Sequence, residues 1–155
     1  MNAVVVELAT AHPLELAQRR ARELNLAYRG TLTPPEACAA WQSAPGAVLI
    51  DIRSEAELKL IGRIPQAVNI EWKFFPDWDL NPSFVTAIQR KYAPETVLIL
   101  LCRSGIRSDE AATKLTSAGF ENVFNVLEGF EGVLNEAGRR CVNGWKSYPL
   151  PWDQR

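Results

Sequence analysis

The chain has 155 residues, of which 47% are hydrophobic and 23% are charged. This length fits one ordinary domain of roughly 100–200 residues, and the composition excludes a disordered, collagen-like or coiled-coil protein. Lysine and arginine number 17 and aspartate and glutamate 18, giving a formal net charge of −1. Because strongly basic chains are typical of nucleic-acid binders, we expect no nucleic-acid partner.

The numbers of cysteine and histidine residues exclude further classes of protein. Three cysteines without CxxC spacing do not make a disulfide framework and favour a reducing compartment. The single histidine, His12, excludes a histidine-rich metal site, and we expect neither a metal nor a cofactor. Apolar runs such as 3–6 and 97–102 are far shorter than the ~20 residues that span a bilayer. With no signal-peptide pattern at the N-terminus, we expect a cytoplasmic protein without membrane contact.

The N-terminal residues carry a helical pattern. Apolar side chains recur at helical spacing over residues 13–28 and predict an amphipathic helix, which we expect Gly30 to end. A second helix begins at Thr33, where Pro34 and Glu36 complete a capping pattern. We therefore divide the chain into an N-terminal helical extension, residues 1–30, and a main domain, residues 31–155.

Short apolar runs alternate with helical segments in the middle of the chain. The pattern predicts a buried strand over 47–51, a helix opened by the capping box at 54–57, and a strand over 67–70. Residues 71–81 are interpreted as an aromatic loop that walls a pocket, and its large rings are Trp72, Phe74, Phe75 and Trp78.

The second half of the chain repeats the alternation. A helix after residue 82, a strand over 96–101, a helix over 106–118 and a strand over 122–127 are predicted. Strands alternating with helices indicate an α/β fold with a mainly parallel central sheet. Because ligands of such sheets bind beyond the carboxyl ends of the strands, the fold alone singles out Cys102, which follows the most apolar strand.

A candidate site begins at this cysteine. Its segment joins a buried strand to a helix N-terminus and reads Cys102, Arg103, Ser104, Gly105, Ile106, Arg107 and Ser108. Free backbone N–H groups and the helix dipole stabilise an anion there, including a thiolate. A cysteine at a strand end is commonly an inert small hydrophobe. Cations at a helix N-terminus cost about 0.3–1 kcal/mol each, so the two arginines indicate a functional site rather than packing.

The motifs resemble those of single-domain rhodaneses over roughly residues 31 to 152. The matching segments are, in order, residues 51–53, 62–70, 102–108 and 126–130. Three positions depart from the family pattern: Arg63 replaces His, Gln66 replaces Gly, and Phe130 replaces a second Gly. The resemblance implies a rhodanese-like α/β fold with a five-stranded, mainly parallel sheet flanked by helices, to which the N-terminal helix is added.

The resemblance also implies sulfurtransferase activity. The Cys102 thiolate takes a sulfane sulfur from thiosulfate or a similar small anionic donor and passes it from a persulfide to cyanide, a thiol or an acceptor protein. The amides of residues 103–107 hold the persulfide. Arg103 and Arg107 orient the donor, and Arg107 also stiffens the loop. We interpret Asp51 and Arg53 as a supporting ion pair, the alternative being a surface pair worth about 0–1 kcal/mol.

Two other functions stay open. Cysteine phosphatases of the related fold place five residues between cysteine and arginine, whereas four separate Cys102 from Arg107. This spacing weighs against a phosphatase. A persulfide carrier or regulatory module with little turnover keeps the same cysteine loop. Cys38 and Cys141 are interpreted as bystanders, although the spacing does not decide whether Cys141 takes part.

Overall fold

A parallel five-stranded sheet forms the centre of the molecule in the computed structural model, which describes residues 12–155. The apolar run 3–6 and residues 1–11 of the proposed N-terminal extension lie outside the described residues. The strand order is β1-β7-β6-β2-β3, with bounds β1 (Gly30–Leu32), β2 (Val48–Asp51), β3 (Val68–Asn69), β6 (Val97–Leu101) and β7 (Asn122–Val126). The predicted α/β fold with a five-stranded parallel sheet is confirmed.

Helices cover both faces of this sheet. They are α1 (Pro13–Leu24), α2 (Pro34–Ser43), α3 (Glu55–Ile61), α4 (Phe84–Lys91) and α5 (Ile106–Ser117), followed by a short 3-10 helix (Trp145–Ser147). Successive residues of β6 point to opposite faces. Leu98 and Leu100 therefore pack with α4 and α5, and Ile99 with α1 and α2. No helix within residues 12–155 is long and apolar enough to cross a membrane.

The N-terminal helix is shorter than predicted. It ends at Leu24 because Asn25 adopts a left-handed conformation, φ 55°, and caps the helix. Gly30 does not end this helix but begins β1, a strand that the sequence did not indicate and that pairs in parallel with β7. A Cβ on Gly30 would lie 2.7–2.8 Å from the backbone and Cβ of Ala17. The glycine therefore permits the close approach of α1 to the sheet.

The aromatic segment is more ordered than the predicted loop. It contains a short antiparallel hairpin of β4 (Lys73–Phe74) and β5 (Asp79–Leu80). Trp72 is buried against Phe84, with ring centroids 5.0 Å apart, so it belongs to the core. The rings of Phe74, Phe75 and Trp78 remain 42%, 55% and 41% exposed.

Candidate active site at the cysteine loop

Cys102 lies directly after β6, at the carboxyl edge of the sheet, and is 1% exposed. Its Sγ accepts hydrogen bonds from the backbone N–H of Gly105 at 3.1 Å and of Ser108 at 3.4 Å. The turn depends on Gly105, whose φ is 100° and where a Cβ would collide with the carbonyl oxygen of Leu127. Two amides at the start of α5 thus surround the sulfur, an arrangement that favours a negative charge on it.

Ser108 completes the contacts of the sulfur. Its Oγ lies 3.2 Å from Sγ of Cys102 and donates a 2.5 Å hydrogen bond to Oδ1 of Asn125 on β7. Both Ser108 and Asn125 are buried. Sequence analysis missed Asn125 because its strand is remote from the loop in sequence and a polar residue within a strand carries no motif.

Arg107 forms a two-pronged ion pair with Glu57 of α3. The Nη1–Oε2 and Nη2–Oε1 distances are 2.8 and 2.7 Å. The guanidinium also lies on the ring of Trp78, 4.9 Å from its centroid. Trp78 therefore borders the cysteine loop, as the interpretation of a pocket wall requires, whereas Trp72 is in the core.

Burial is the largest influence on Glu57 and acts to raise the pKa of its carboxyl. The hydrogen bonds from Arg107, the Arg107 charge and the bonds from Ser54 together outweigh it and lower that pKa below its ordinary value. Glu57 is therefore an ionised, buried partner of the loop arginine. Sequence analysis found this residue only as the end of a capping box.

Arg103 points to a different partner and is more accessible. Its Nε donates a 2.8 Å hydrogen bond to Glu131, and its side chain is 42% exposed. Of the remaining loop residues, Ser104 is half-buried and Ile106 is 70% exposed. The mouth of the loop therefore combines one accessible cation with an apolar side chain.

The segment after β7 holds the backbone of the cysteine loop. The N–H of Phe130 donates to the carbonyl of Cys102 at 2.8 Å, and the N–H groups of Glu131 and Gly132 donate to that of Arg103 at 2.9 and 3.2 Å. A Cβ on Gly129 would lie 2.6–2.7 Å from these same carbonyl groups. The glycine is therefore needed for the two segments to lie side by side.

Asp51 and Arg53 form a buried ion pair instead of a surface one. Their Oδ2–Nη2 distance is 2.7 Å, and both side chains are at most 2% exposed. Arg53 also donates to the carbonyl of Gly62 at 3.0 Å and lies 4.2 Å from the ring centroid of Phe130. The pair joins the end of β2 to the loop before β3, and a buried guanidinium is inaccessible to a substrate in solvent.

Residues 34–136 match the family profile of the rhodanese-like domain. The chain belongs to the rhodanese-like family. This family includes sulfurtransferases and related enzymes. The chain is similar to Rv0390 of M. tuberculosis, whose crystal structure superposes with a TM-score of 0.74 at 38% identity, over 83% of this chain and 99% of that one.

Two relatives in sequence extend the comparison. The uncharacterized protein RP600 homolog of Rickettsia rickettsii is 35% identical over 114 residues, covering 71% of this chain and 85% of the relative. The tRNA uridine(34) hydroxylase of Wolbachia pipientis is 28% identical over 144 residues. That match covers 91% of this chain but only 49% of the hydroxylase, so half of the hydroxylase has no counterpart here.

The three departures from the rhodanese pattern have separate structural settings. Gln66 adopts φ 70°, a left-handed conformation that favours glycine. The backbone of Arg63 pairs with that of Asp153 through hydrogen bonds of 2.7 and 2.9 Å. Phe130 is fully buried between Arg53 and Trp152. Although Phe130 is distant from Cys102 in sequence, its N–H binds the Cys102 carbonyl, so this departure adjoins the candidate site.

The other two cysteines lie elsewhere in this rhodanese-like domain. Cys38 is buried on α2, and burial raises the pKa of its thiol. Cys141 is exposed and accepts a 3.4 Å hydrogen bond from Asn135. Among residues 12–155 there is no group of three His, Cys, Asp or Glu side chains that could hold a metal ion.

Proposed function

We propose that the protein is a cytoplasmic sulfurtransferase that carries a sulfane sulfur on Cys102. The observation that carries this proposal is the pair of backbone N–H groups, from Gly105 and Ser108, aimed at Sγ from 3.1 and 3.4 Å. Amides in this position stabilise the thiolate before the reaction and the anionic persulfide after it. Family membership supports the same reaction class.

The reaction proceeds in two displacement steps. The Cys102 thiolate attacks the outer sulfur of thiosulfate, a new S–S bond forms, and the bond within thiosulfate breaks as sulfite leaves with the electron pair. Cyanide then attacks the terminal sulfur of the persulfide, forms thiocyanate and restores the thiolate. A thiol or an acceptor protein takes the place of cyanide in the same step.

The two loop arginines take different parts in this scheme. Arg103 is the accessible cation and orients the anionic donor near the loop mouth. Arg107 is balanced by Glu57 and covered by Trp78, so it mainly stiffens the loop. Asp51 and Arg53 support the strand ends without contacting the donor.

Substitution of the nucleophile tests this proposal directly. Thiosulfate treatment is expected to add one sulfur atom to the wild-type protein and none to Cys102→Ser, and cyanide is expected to remove it. Intact-protein mass spectrometry measures the addition. Cys141→Ser is the matched control, because this exposed thiol should leave labelling unchanged. Equal labelling of Cys102→Ser and wild type would refute the assignment.

The same proteins separate the alternatives. A carrier module acquires the sulfur but turns over slowly with cyanide and faster with a protein thiol. A phosphatase hydrolyses an aryl phosphate and takes up no sulfur. The spacing of four residues between Cys102 and Arg107, together with the pairing of Arg107 to Glu57, leaves a smaller and less cationic cradle than a phosphate dianion requires.

A second candidate is a part in tRNA uridine hydroxylation. The match with the Wolbachia hydroxylase over 91% of this chain favours it. The pairing of the half-buried Arg107 with Glu57 disfavours it, because Arg103 is then the one accessible arginine of the loop and a phosphate backbone is bound by several cations. Formation of hydroxylated uridine in tRNA incubated with the protein and dioxygen as the two-electron oxidant, absent with Cys102→Ser, would favour hydroxylation over sulfur transfer to small acceptors.

A further inference from the structure

A chain of buried hydrogen bonds runs from the candidate nucleophile to the segment before β1. Sγ of Cys102 contacts Oγ of Ser108 at 3.2 Å, and Ser108 donates to Oδ1 of Asn125 at 2.5 Å. Nδ2 of Asn125 donates to the carbonyl of Gly105 at 3.2 Å and reaches the hydroxyl of Tyr28 at 3.5 Å. Tyr28 precedes residues 34–136, the part of the chain that the family profile matches.

The donor and acceptor roles along this series of hydrogen bonds are fixed by groups that can only accept a hydrogen bond. The Gly105 carbonyl has no proton to donate, so the amide group of Asn125 must turn Nδ2 toward it and Oδ1 toward Ser108. Tyr28 donates its proton to the carboxylate of Asp109 at 2.6 Å, which leaves its oxygen free to accept from Asn125. Burial and this bond raise the pKa of Tyr28, so its hydroxyl keeps the proton.

The direction decides what Ser108 offers to the sulfur. A hydroxyl has one proton, and Ser108 gives it to Asn125. The side of Oγ that faces Sγ therefore presents a lone pair, which accepts a hydrogen bond from a thiol and repels a thiolate. This contact opposes the two backbone N–H groups that favour the thiolate.

We propose that Asn125 is a positioning residue that makes Ser108 an acceptor and thereby weakens the stabilisation that the two backbone N–H groups give to a Cys102 thiolate. The proposal rests on the proposed function only in that Cys102 is the nucleophile. Three ion pairs lie around the loop, and the carboxylate of Asp109 accepts from Tyr28; the pairs are Arg107 with Glu57, Arg103 with Glu131, and Asp51 with Arg53. Among the three groups described in contact with Sγ, two are backbone N–H groups, which can only donate. The third is the hydroxyl of Ser108, and the side chain of Asn125 decides whether it donates or accepts.

The test is the pH dependence of Cys102 alkylation by iodoacetamide, followed at the Cys102 peptide by mass spectrometry. In Asn125→Leu, Ser108 is released to donate to the sulfur, and the pH of half-maximal rate is expected to fall by about half to one unit. In Ser108→Ala the acceptor is lost, and this midpoint is also expected to fall. If Ser108 instead donated to the thiolate, its removal would raise the midpoint and overturn the proposal.

The control and the double variant make the test specific. Asn122→Leu changes the same residue type at the far end of the same strand, where the amide binds the carbonyl of Glu95, and should leave the midpoint unchanged. In the Ser108→Ala background, Asn125→Leu should add no further shift. An equal shift in both backgrounds would show that Asn125 does not act through Ser108.

These experiments distinguish a failure of the role of Asn125 from a failure of the proposed sulfurtransferase function. Ser108→Ala removes a single oxygen and gives an answer even if Asn125→Leu does not fold. Alkylation needs no sulfur donor, so the expected shifts combined with an absence of sulfur uptake would contradict the proposed function and not the role of Asn125. Sulfur uptake with unchanged midpoints would contradict the role of Asn125 alone.

Discussion

Glu57 serves two structural elements at once. Its carboxylate accepts from the backbone N–H of Ser54 at 2.9 Å, which caps α3, and it pairs with Arg107 of the cysteine loop. The residue is 8% exposed. One ionised side chain therefore couples the start of a helix to the loop that carries the candidate nucleophile.

Glu57→Gln is expected to lower the free energy of unfolding at pH 7 by about 1–3 kcal/mol, because a buried charge-assisted pair is broken. The folded-state pKa of Glu57 is lowered, so its contribution is complete above the unfolded value of about 4.3 and is lost as the pH falls through the folded value. The difference in the free energy of unfolding between wild type and Glu57→Gln should therefore be smaller at pH 3 than at pH 7. Urea unfolding at both pH values measures it.

Glu55→Gln on the same helix is the matched control. Glu55 pairs with Lys59, but the two side chains are 66% and 65% exposed. Exposed pairs contribute about 0–1 kcal/mol, so this variant should unfold like wild type. A Glu57→Gln deficit of equal size at pH 7 and pH 3 would contradict an ionised Glu57.

Residues of the site differ in how well the sequence predicts them. Cys102 and its loop are contiguous and follow a strand, so local pattern and topology locate them together. Glu57, Asn125 and Glu131 come from three other elements and meet the loop only after the sheet has formed. Their partners depend on tertiary packing, which periodicity and motif spacing do not contain.

At the scale of elements, α1 is an integral layer of the fold. Ala17 is fully buried against the sheet, at the point where Gly30 lacks a Cβ. The helix ends in the segment that supplies Tyr28 to the hydrogen-bond chain of the site. The family motifs begin after residue 30, which is why the sequence suggests a boundary there. The division of the chain into residues 1–30 and 31–155 stays a prediction.

Ala17→Leu is expected to destabilise the protein by about 1–3 kcal/mol, because a larger side chain cannot enter this contact without moving the helix. Thermal or urea unfolding measures the loss. Ala39→Leu, at an exposed position of α2, makes the same change without the contact and should cost little. Equal stabilities of the two variants would show that α1 is loosely attached.

The elements that the sequence predicts best are the buried ones. The strand over 97–101 is a continuous apolar run, the strand over 48–51 is apolar up to its last residue, Asp51, and the predicted bounds of both agree with the observed ones within one residue. β1 escaped prediction because its residues, Gly30 to Leu32, are too few to show alternation and follow directly on a helical pattern. The hairpin at 73–80 is similarly short, with two residues in each strand.

At the scale of the whole molecule, the C-terminal residues pack against the core on the face of the sheet that α1 and α2 cover. Trp145 is fully buried, and its Nε1 donates to the carbonyl of Pro151 at 3.0 Å. Asp153 then pairs with Arg63, which follows α3. These contacts lie beyond residue 136, where the family match ends.

Trp145→Ala is expected to lower the free energy of unfolding by about 3–5 kcal/mol, the usual cost of emptying a large buried aromatic site. Urea unfolding followed by circular dichroism measures it. Trp145→Phe keeps part of the volume and should lose less. If the alanine variant were as stable as wild type, the C-terminal residues would be a dispensable addition to the domain.

The hydrogen bonds between residues 130–132 and the carbonyls of Cys102 and Arg103 bear on protein engineering. A cysteine loop from another member of the family cannot be grafted here alone, since its backbone must also match the amides that receive it. At Gly129 the two backbone segments are already so close that a Cβ would collide with the carbonyl groups of Cys102 and Arg103. The unit of exchange is therefore the loop together with the segment that follows β7, and libraries that vary the two jointly should yield more folded proteins than libraries that vary either one.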